Sequence, residues 1–146
     1  MIAIASDHGG YELKGVLTAH MKARGIEFTD YGTDSEESVD YPVYARRVTK
    51  AVKEGKAVFG VIVCGTGIGV SITANREKGI RAALCTNTFM AEKTREHNDA
   101  NVLCMGGRVT DPGTAVEILD TFLGTPFSNG ERHLRRIQMI DKPEEE

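Results

Sequence analysis

Phe59-Gly60-Val61-Ile62-Val63-Cys64-Gly65-Thr66-Gly67-Ile68-Gly69 decides the fold. The first six residues are the strongest buried-strand signal in the chain. The rest alternates glycine with other residues, and a short helix over about 68–76 is expected to follow. A buried strand that turns sharply into a helix suits a parallel sheet covered on both faces.

Working outward, the same alternation continues in both directions. Pro42 suits a helix start, with Val43, Val48 and Val52 along it and Gly55 closing it. Residues 26–31 read as a strand. Leu13, Val16, Leu17 and Met21 keep helical spacing up to Gly25, and residues 2–6 form another short apolar run. Downstream, strands are expected over 80–85 and 101–105, with a helix over 88–97 between them. Asp111 caps a helix with Val116, Ile118, Leu119 and Phe122 on or near its buried side. A last helix is expected over about 129–140, and an acidic tail over 141–146 is expected to fray. The pattern predicts an α/β fold: a three-layer α/β/α sandwich, Rossmann-like, built on a five-stranded parallel sheet.

Bulk properties narrow the function classes. A chain of 146 residues predicts one domain with a real core, without help from disulfides or metal. The net charge of -3 gives no reason to expect nucleic acid or a membrane surface as partner. No apolar run approaches the roughly 20 residues that span a bilayer. The N-terminal residues read as a strand rather than a leader. Cys64, Cys85 and Cys104 are far apart and form no CxxC pair, so a reducing cytoplasm is expected.

Ligands of parallel sheets bind beyond the carboxyl ends of the strands. Asp7-His8-Gly9, Cys64 to Gly69 and Gly106-Gly107-Arg108 each follow a predicted strand, so all three are expected along one end of the sheet. Gly65, Gly67 and Gly69 let the backbone turn and aim N–H groups at one spot, and a helix N-terminus follows. The loop therefore predicts anion binding. A dinucleotide site would use GxGxxG after the first strand, whereas this loop is GxGxG after the third. A P-loop would need Gly-Lys-Ser/Thr. A cysteine phosphatase would need an arginine closing the loop, and Arg76 is too far downstream. Cys64 lies between the strand end and this loop, where N–H groups favour a thiolate suited to nucleophilic attack or proton abstraction. Cys85 and Cys104 read as small core residues.

Of the four histidines, His20 reads as part of an amphipathic helix and His133 follows Arg132 on the last helix. His8 stands beside Asp7 at a strand tip, where the pair can bind a sugar hydroxyl or cap a turn. His97 ends a helix, a position that favours a protonated imidazole and suits a general acid. Asn98 beside it can cap that helix. On this topology both point away from the Cys64 end, a puzzle that a second subunit would solve. Arg132 and Arg136 are helical neighbours and can clamp a phosphate with forked hydrogen bonds.

With these residues in hand, the chain resembles the ribose/galactose/allose phosphate isomerases, specifically ribose-5-phosphate isomerase of type B. The resemblance covers nearly the whole chain. It rests on Ser6-Asp7-His8-Gly9-Gly10, Asp40-Tyr41-Pro42, Cys64 to Gly69, Ala74-Asn75, Gly79-Ile80-Arg81-Ala82, His97-Asn98-Asp99, Gly107-Arg108 and Gly130-Glu131-Arg132-His133 with Arg136. It implies a single isomerase domain over 1–146 that interconverts ribose 5-phosphate and ribulose 5-phosphate without metal or cofactor. It makes Cys64 the base between C1 and C2, and has Gly65, Thr66, Gly67, Ile68 and Gly69 stabilise the enediolate. Thr66 would shuttle hydroxyl protons. His97 would help open the sugar ring, Asp7, His8 and Asn98 would bind the sugar, and Arg108, Arg132 and Arg136 the phosphate. Members form homodimers with shared sites, some pairing again into tetramers. Glu131 replaces a glycine common in the family. Alternatives are an allose-6-phosphate isomerase and a non-catalytic phosphosugar-binding module.

Overall fold

A computed structural model describes residues 1–142, so residues 143–146 of the expected tail lie outside the described residues. The chain runs β1 (Ile2–Ser6), α1 (Tyr11–Ala23), β2 (Phe28–Asp30), α2 (Tyr41–Lys53), β3 (Phe59–Cys64) and α3 (Ile68–Asn75). It continues as β4 (Ala82–Leu84), α4 (Thr88–Asn98), β5 (Val102–Gly106), α5 (Pro112–Gly124) and α6 (Glu131–Asp141). The five strands form one parallel sheet in the order β2-β1-β3-β5-β4.

Alternation along the central strands explains the two covered faces. Ile2, Ile4, Val61, Val63, Leu103 and Met105 pack with Leu13, Leu17 and Met21 of α1, Ala91 of α4, and Ile118, Leu119 and Phe122 of α5. Ala3, Ala5, Ile62, Cys64, Val102 and Cys104 face the opposite layer, where Ala45 and Val48 of α2 meet Val70 and Ala74 of α3. Small alanines on β1 let α2 approach closely. Asp111 caps α5 by accepting the Thr114 N–H at 3.2 Å.

Two strands are shorter than the sequence predicts. β2 and β4 span three residues each, against six expected for both. They are the outer strands, paired on one side only, so their flanking residues are not held by a second ladder. The last helix extends through Asp141, where the sequence predicts fraying. The Arg81 guanidinium reaches both Asp141 carboxylate oxygens at 3.1 and 3.2 Å and ties that end down. Among the described residues no helix is long and apolar enough to cross a membrane.

Candidate active site

Cys64 ends β3 with its side chain on the α2–α3 face, only 5% exposed. Its Sγ accepts the Gly67 N–H at 3.2 Å. An anionic acceptor makes the stronger bond of this kind. Gly67 holds φ at 82°, in the left-handed region. A Cβ there would lie 2.5 Å from Leu84 Cδ1 and 2.8 Å from the Met105 carbonyl carbon, so both conformation and space demand glycine. Ile68 N–H donates to Thr66 Oγ1 at 3.3 Å. The first-turn N–H groups of Gly69 and Val70 have no acceptor among the described residues. The sequence reading placed the donors over 65–69. In the structure Gly67 and Ile68 turn toward Cys64 and Thr66, and the unpaired donors extend to Val70.

Backbone hydrogen bonds join this loop to its neighbours. Gly107 N–H donates to the Cys64 carbonyl at 2.8 Å, Arg108 N–H to that of Gly65 at 2.9 Å, and Asp7 N–H to that of Val63 at 3.2 Å. A Cβ on Gly65 would lie 3.0 Å from Arg108 Nη1, and one on Gly9 3.3 Å from Arg108 Cζ. The guanidinium therefore lies against both glycine turns. Asp7 is buried, and its Oδ1 accepts the Gly10 N–H at 3.0 Å, so it does cap the turn into α1. His8 Nδ1 accepts the Val39 N–H at 3.1 Å, which leaves the proton of a neutral ring on Nε2. Asp7, His8, the 64–69 loop and Arg108 thus share the carboxyl end of the sheet, as the sequence predicts.

Tyr41 was missing from the candidates. A Cβ on Gly69 would sit 2.5 Å from Tyr41 Cε1, so this ring covers the start of α3. Its only sequence signal is its place in Asp40-Tyr41-Pro42.

The remaining candidates form a second group. His97 lies in the last turn of α4, which feeds the amino end of β5 and so stands at the opposite end of the sheet from Cys64. Its ring stacks on His133, with centroids 4.1 Å apart and planes 14° from parallel. His133 was not among the candidates, because nothing in its spacing reveals a ring partner on another helix. Asp99, at φ 44°, caps α4, and not Asn98. The Asn98 carbonyl accepts Arg81 Nε at 2.8 Å. Arg132 and Arg136 are exposed on α6, while His133 between them is buried. Glu131 occupies the first turn of α6, where a carboxylate favours the helix dipole. The single chain therefore does not bring His97, Asn98, Arg132 and Arg136 to Cys64.

The titration behaviour separates the groups further. Burial pushes the Cys85 thiol up to about 12 and raises that of Cys104 still more, in keeping with inert core residues. Burial holds His133 below the usual histidine value, and the positive charge of His97, Arg132 and Arg136 adds to this. Among the described residues no three His, Cys, Asp or Glu side chains are grouped as metal ligands.

Known proteins resemble this chain in sequence and fold. A family model described as Ribose/Galactose Isomerase matches residues 2–140. Ribose-5-phosphate isomerase B of Escherichia coli is 45% identical over 139 residues, covering 95% of this chain and 93% of that protein. The solved ribose-5-phosphate isomerase B of Clostridium thermocellum superimposes with a TM-score of 0.95 at 50% identity, covering 98% of this chain and 96% of that one. The Thermotoga maritima ribose 5-phosphate isomerase structure gives a TM-score of 0.95 at 52% identity, covering 97% of each chain.

Proposed function

The chain belongs to the ribose/galactose isomerase family, and from that footing we propose that it interconverts ribose 5-phosphate and ribulose 5-phosphate through an enediolate. The observation that carries this is the Cys64 sulfur at a strand end, bonded by the Gly67 N–H and followed by a helix with unpaired first-turn donors. A base beside fixed donors is what proton transfer next to a carbonyl requires.

The aldose phosphate binds with its phosphate among Arg108, Arg132 and Arg136, and its hydroxyls near Asp7, His8 and Asn98. His97 moves a proton during ring opening. The Cys64 thiolate then takes the C2 proton, and negative charge develops on the C1 oxygen. The unpaired first-turn N–H groups of Gly69 and Val70 hold that charge, while Gly67 and Ile68 keep the loop in shape. Thr66 relays a hydroxyl proton between the oxygens. The proton returns from Cys64 to C1, and the ketose leaves.

The reading implies a homodimer with shared sites, in which His97, Asn98, Arg132 and Arg136 of one protomer complete the Cys64 site of its partner. The separation of these groups within one chain supports it. So do Ile68 and Ile72, one turn apart on α3 and 51% and 55% exposed, which an interface would cover.

The direct test mixes the protein with ribose 5-phosphate in EDTA and follows ribulose 5-phosphate. Turnover is expected. Tight phosphosugar binding without turnover would leave a binding module instead, and faster turnover of allose 6-phosphate would move the specificity to six carbons.

A further inference from the structure

His97 has a role in the proposed reaction, yet among the described residues neither of its ring nitrogens has a hydrogen-bond partner. Its plane is set instead by the stack on His133, 4.1 Å away and 14° from parallel. Several features seat that second ring. His133 is 7% exposed and projects from the first turns of α6. Gly130, just before it, has ordinary extended backbone at φ -61° and ψ 136°, so its conformation does not call for glycine. Space is tight instead: a Cβ on Gly130 would stand 3.0 Å from His133 Cδ2, so a side chain there would press on the ring. Ser128 fastens the same segment to α4, its Oγ donating to the Glu96 carbonyl at 2.6 Å, one residue before His97.

We propose that His133 is a positioning residue for His97: its ring is the flat support that holds the reacting imidazole in one plane. The inference rests on the isomerase reading of the site and adds a residue to it. The support works best as a neutral ring, since two stacked imidazolium ions would repel at this separation. The groups that face His133 favour the neutral form. Arg132 and Arg136 on its own helix and His97 on α4 oppose protonation, with Glu96 on α4 the one opposing influence. A neutral ring beneath His97 also stabilises the imidazolium that forms when His97 takes up a proton.

The test compares His133→Ala, His133→Phe and Gly130→Ala with wild type on two substrates. One is ribose 5-phosphate, which must be opened. The other is its 4-deoxy analogue, which lacks the hydroxyl that closes the furanose ring. Wild-type turnover of ribose 5-phosphate is read first, and its absence contradicts the proposed function itself. Given that activity, His133→Ala is expected to lose about tenfold or more on the cyclic substrate, a part of what a positioned acid contributes, and little on the analogue. Gly130→Ala should lose in the same selective way. His133→Phe, flat but unable to titrate, should recover most of the loss. The His97 Cε1 proton resonance, shifted by the neighbouring ring current, should move in His133→Ala and return toward its wild-type position in His133→Phe. Equal loss on both substrates, or no loss in His133→Ala, overturns the proposal. So does an unmoved His97 resonance in His133→Ala.

Discussion

Cys64 was legible in the sequence because its setting is local. A strand end, a glycine at every second position and a following helix are all adjacent in the chain. The turn itself needs Gly67 at φ 82°. Its Sγ contact with the Gly67 N–H follows from that turn. Cys64→Ala is expected to keep the fold and phosphosugar binding but lose roughly 100- to 10,000-fold in isomerisation, the scale of a general base. Near-normal turnover in that variant would remove Cys64 from the chemistry. Iodoacetamide should label Cys64 before Cys85 and Cys104, whose thiols burial makes harder to ionise, and phosphosugar should protect it. Arg136 belongs to the same scale. Its loss to Ala should weaken phosphosugar binding by about 1.5–3 kcal/mol, the range for a charge-assisted hydrogen bond, with little change for the unphosphorylated sugar. Equal weakening of both ligands would make Arg136 structural. His133 was not legible, because a ring stack between α4 and α6 has no spacing signature within either helix.

At the scale of elements, apolar periodicity gave each helix and strand its place, and errors gathered at the margins. β2 and β4 came out short because outer strands have a ladder on one side only. α6 starts at Glu131 and ends at Asp141, one residue beyond the expected end, because Arg81, from the segment before β4, bonds Asp141 across 60 residues of sequence. Such long-range anchors are invisible to local pattern. The α4–α6 contact also carries a pH dependence. His133 is held below its ordinary value in the folded chain, so the unfolded chain binds the proton more readily. Stability should then rise with pH through this window, and fall as pH drops below about 6.5 toward the lowered folded value. Urea midpoints between pH 7.5 and 5.5 should decline more steeply for wild type than for His133→Phe. Parallel declines would mean that His133 does not contribute. At the turn into α3, Gly67→Ala should destabilise by about 1–3 kcal/mol, since it adds both a left-handed strain and a collision with Leu84 and Met105. A midpoint unchanged from wild type would contradict the stated reason for that glycine.

At the scale of the whole molecule, the parallel topology sorts the chemistry into two ends. Asp7, His8, the 64–69 loop and Arg108 follow strands β1, β3 and β5 and meet at the carboxyl end. His97 and Asn98 precede β5, and α6 brings Arg132 and Arg136 to their side, joined through His133. For His97 and Asn98 that division was legible from the alternation of strands and helices, because a parallel strand enters at one end and leaves at the other; the end taken by Arg132 and Arg136 was not, since no strand follows α6 to fix it. How the two copies of the proposed dimer would meet was not, since no local pattern encodes a pairing between surfaces. The shared site is tested most directly by subunit exchange. Cys64→Ala and His97→Ala proteins are each prepared as folded dimers, mixed and allowed to exchange. The expected result is recovery to about a quarter of the wild-type rate on ribose 5-phosphate, because random exchange makes half of the dimers mixed and each mixed dimer holds one intact site of two. Verified heterodimers that stay as slow as their parents would contradict a site built from Cys64 of one protomer and His97 of its partner.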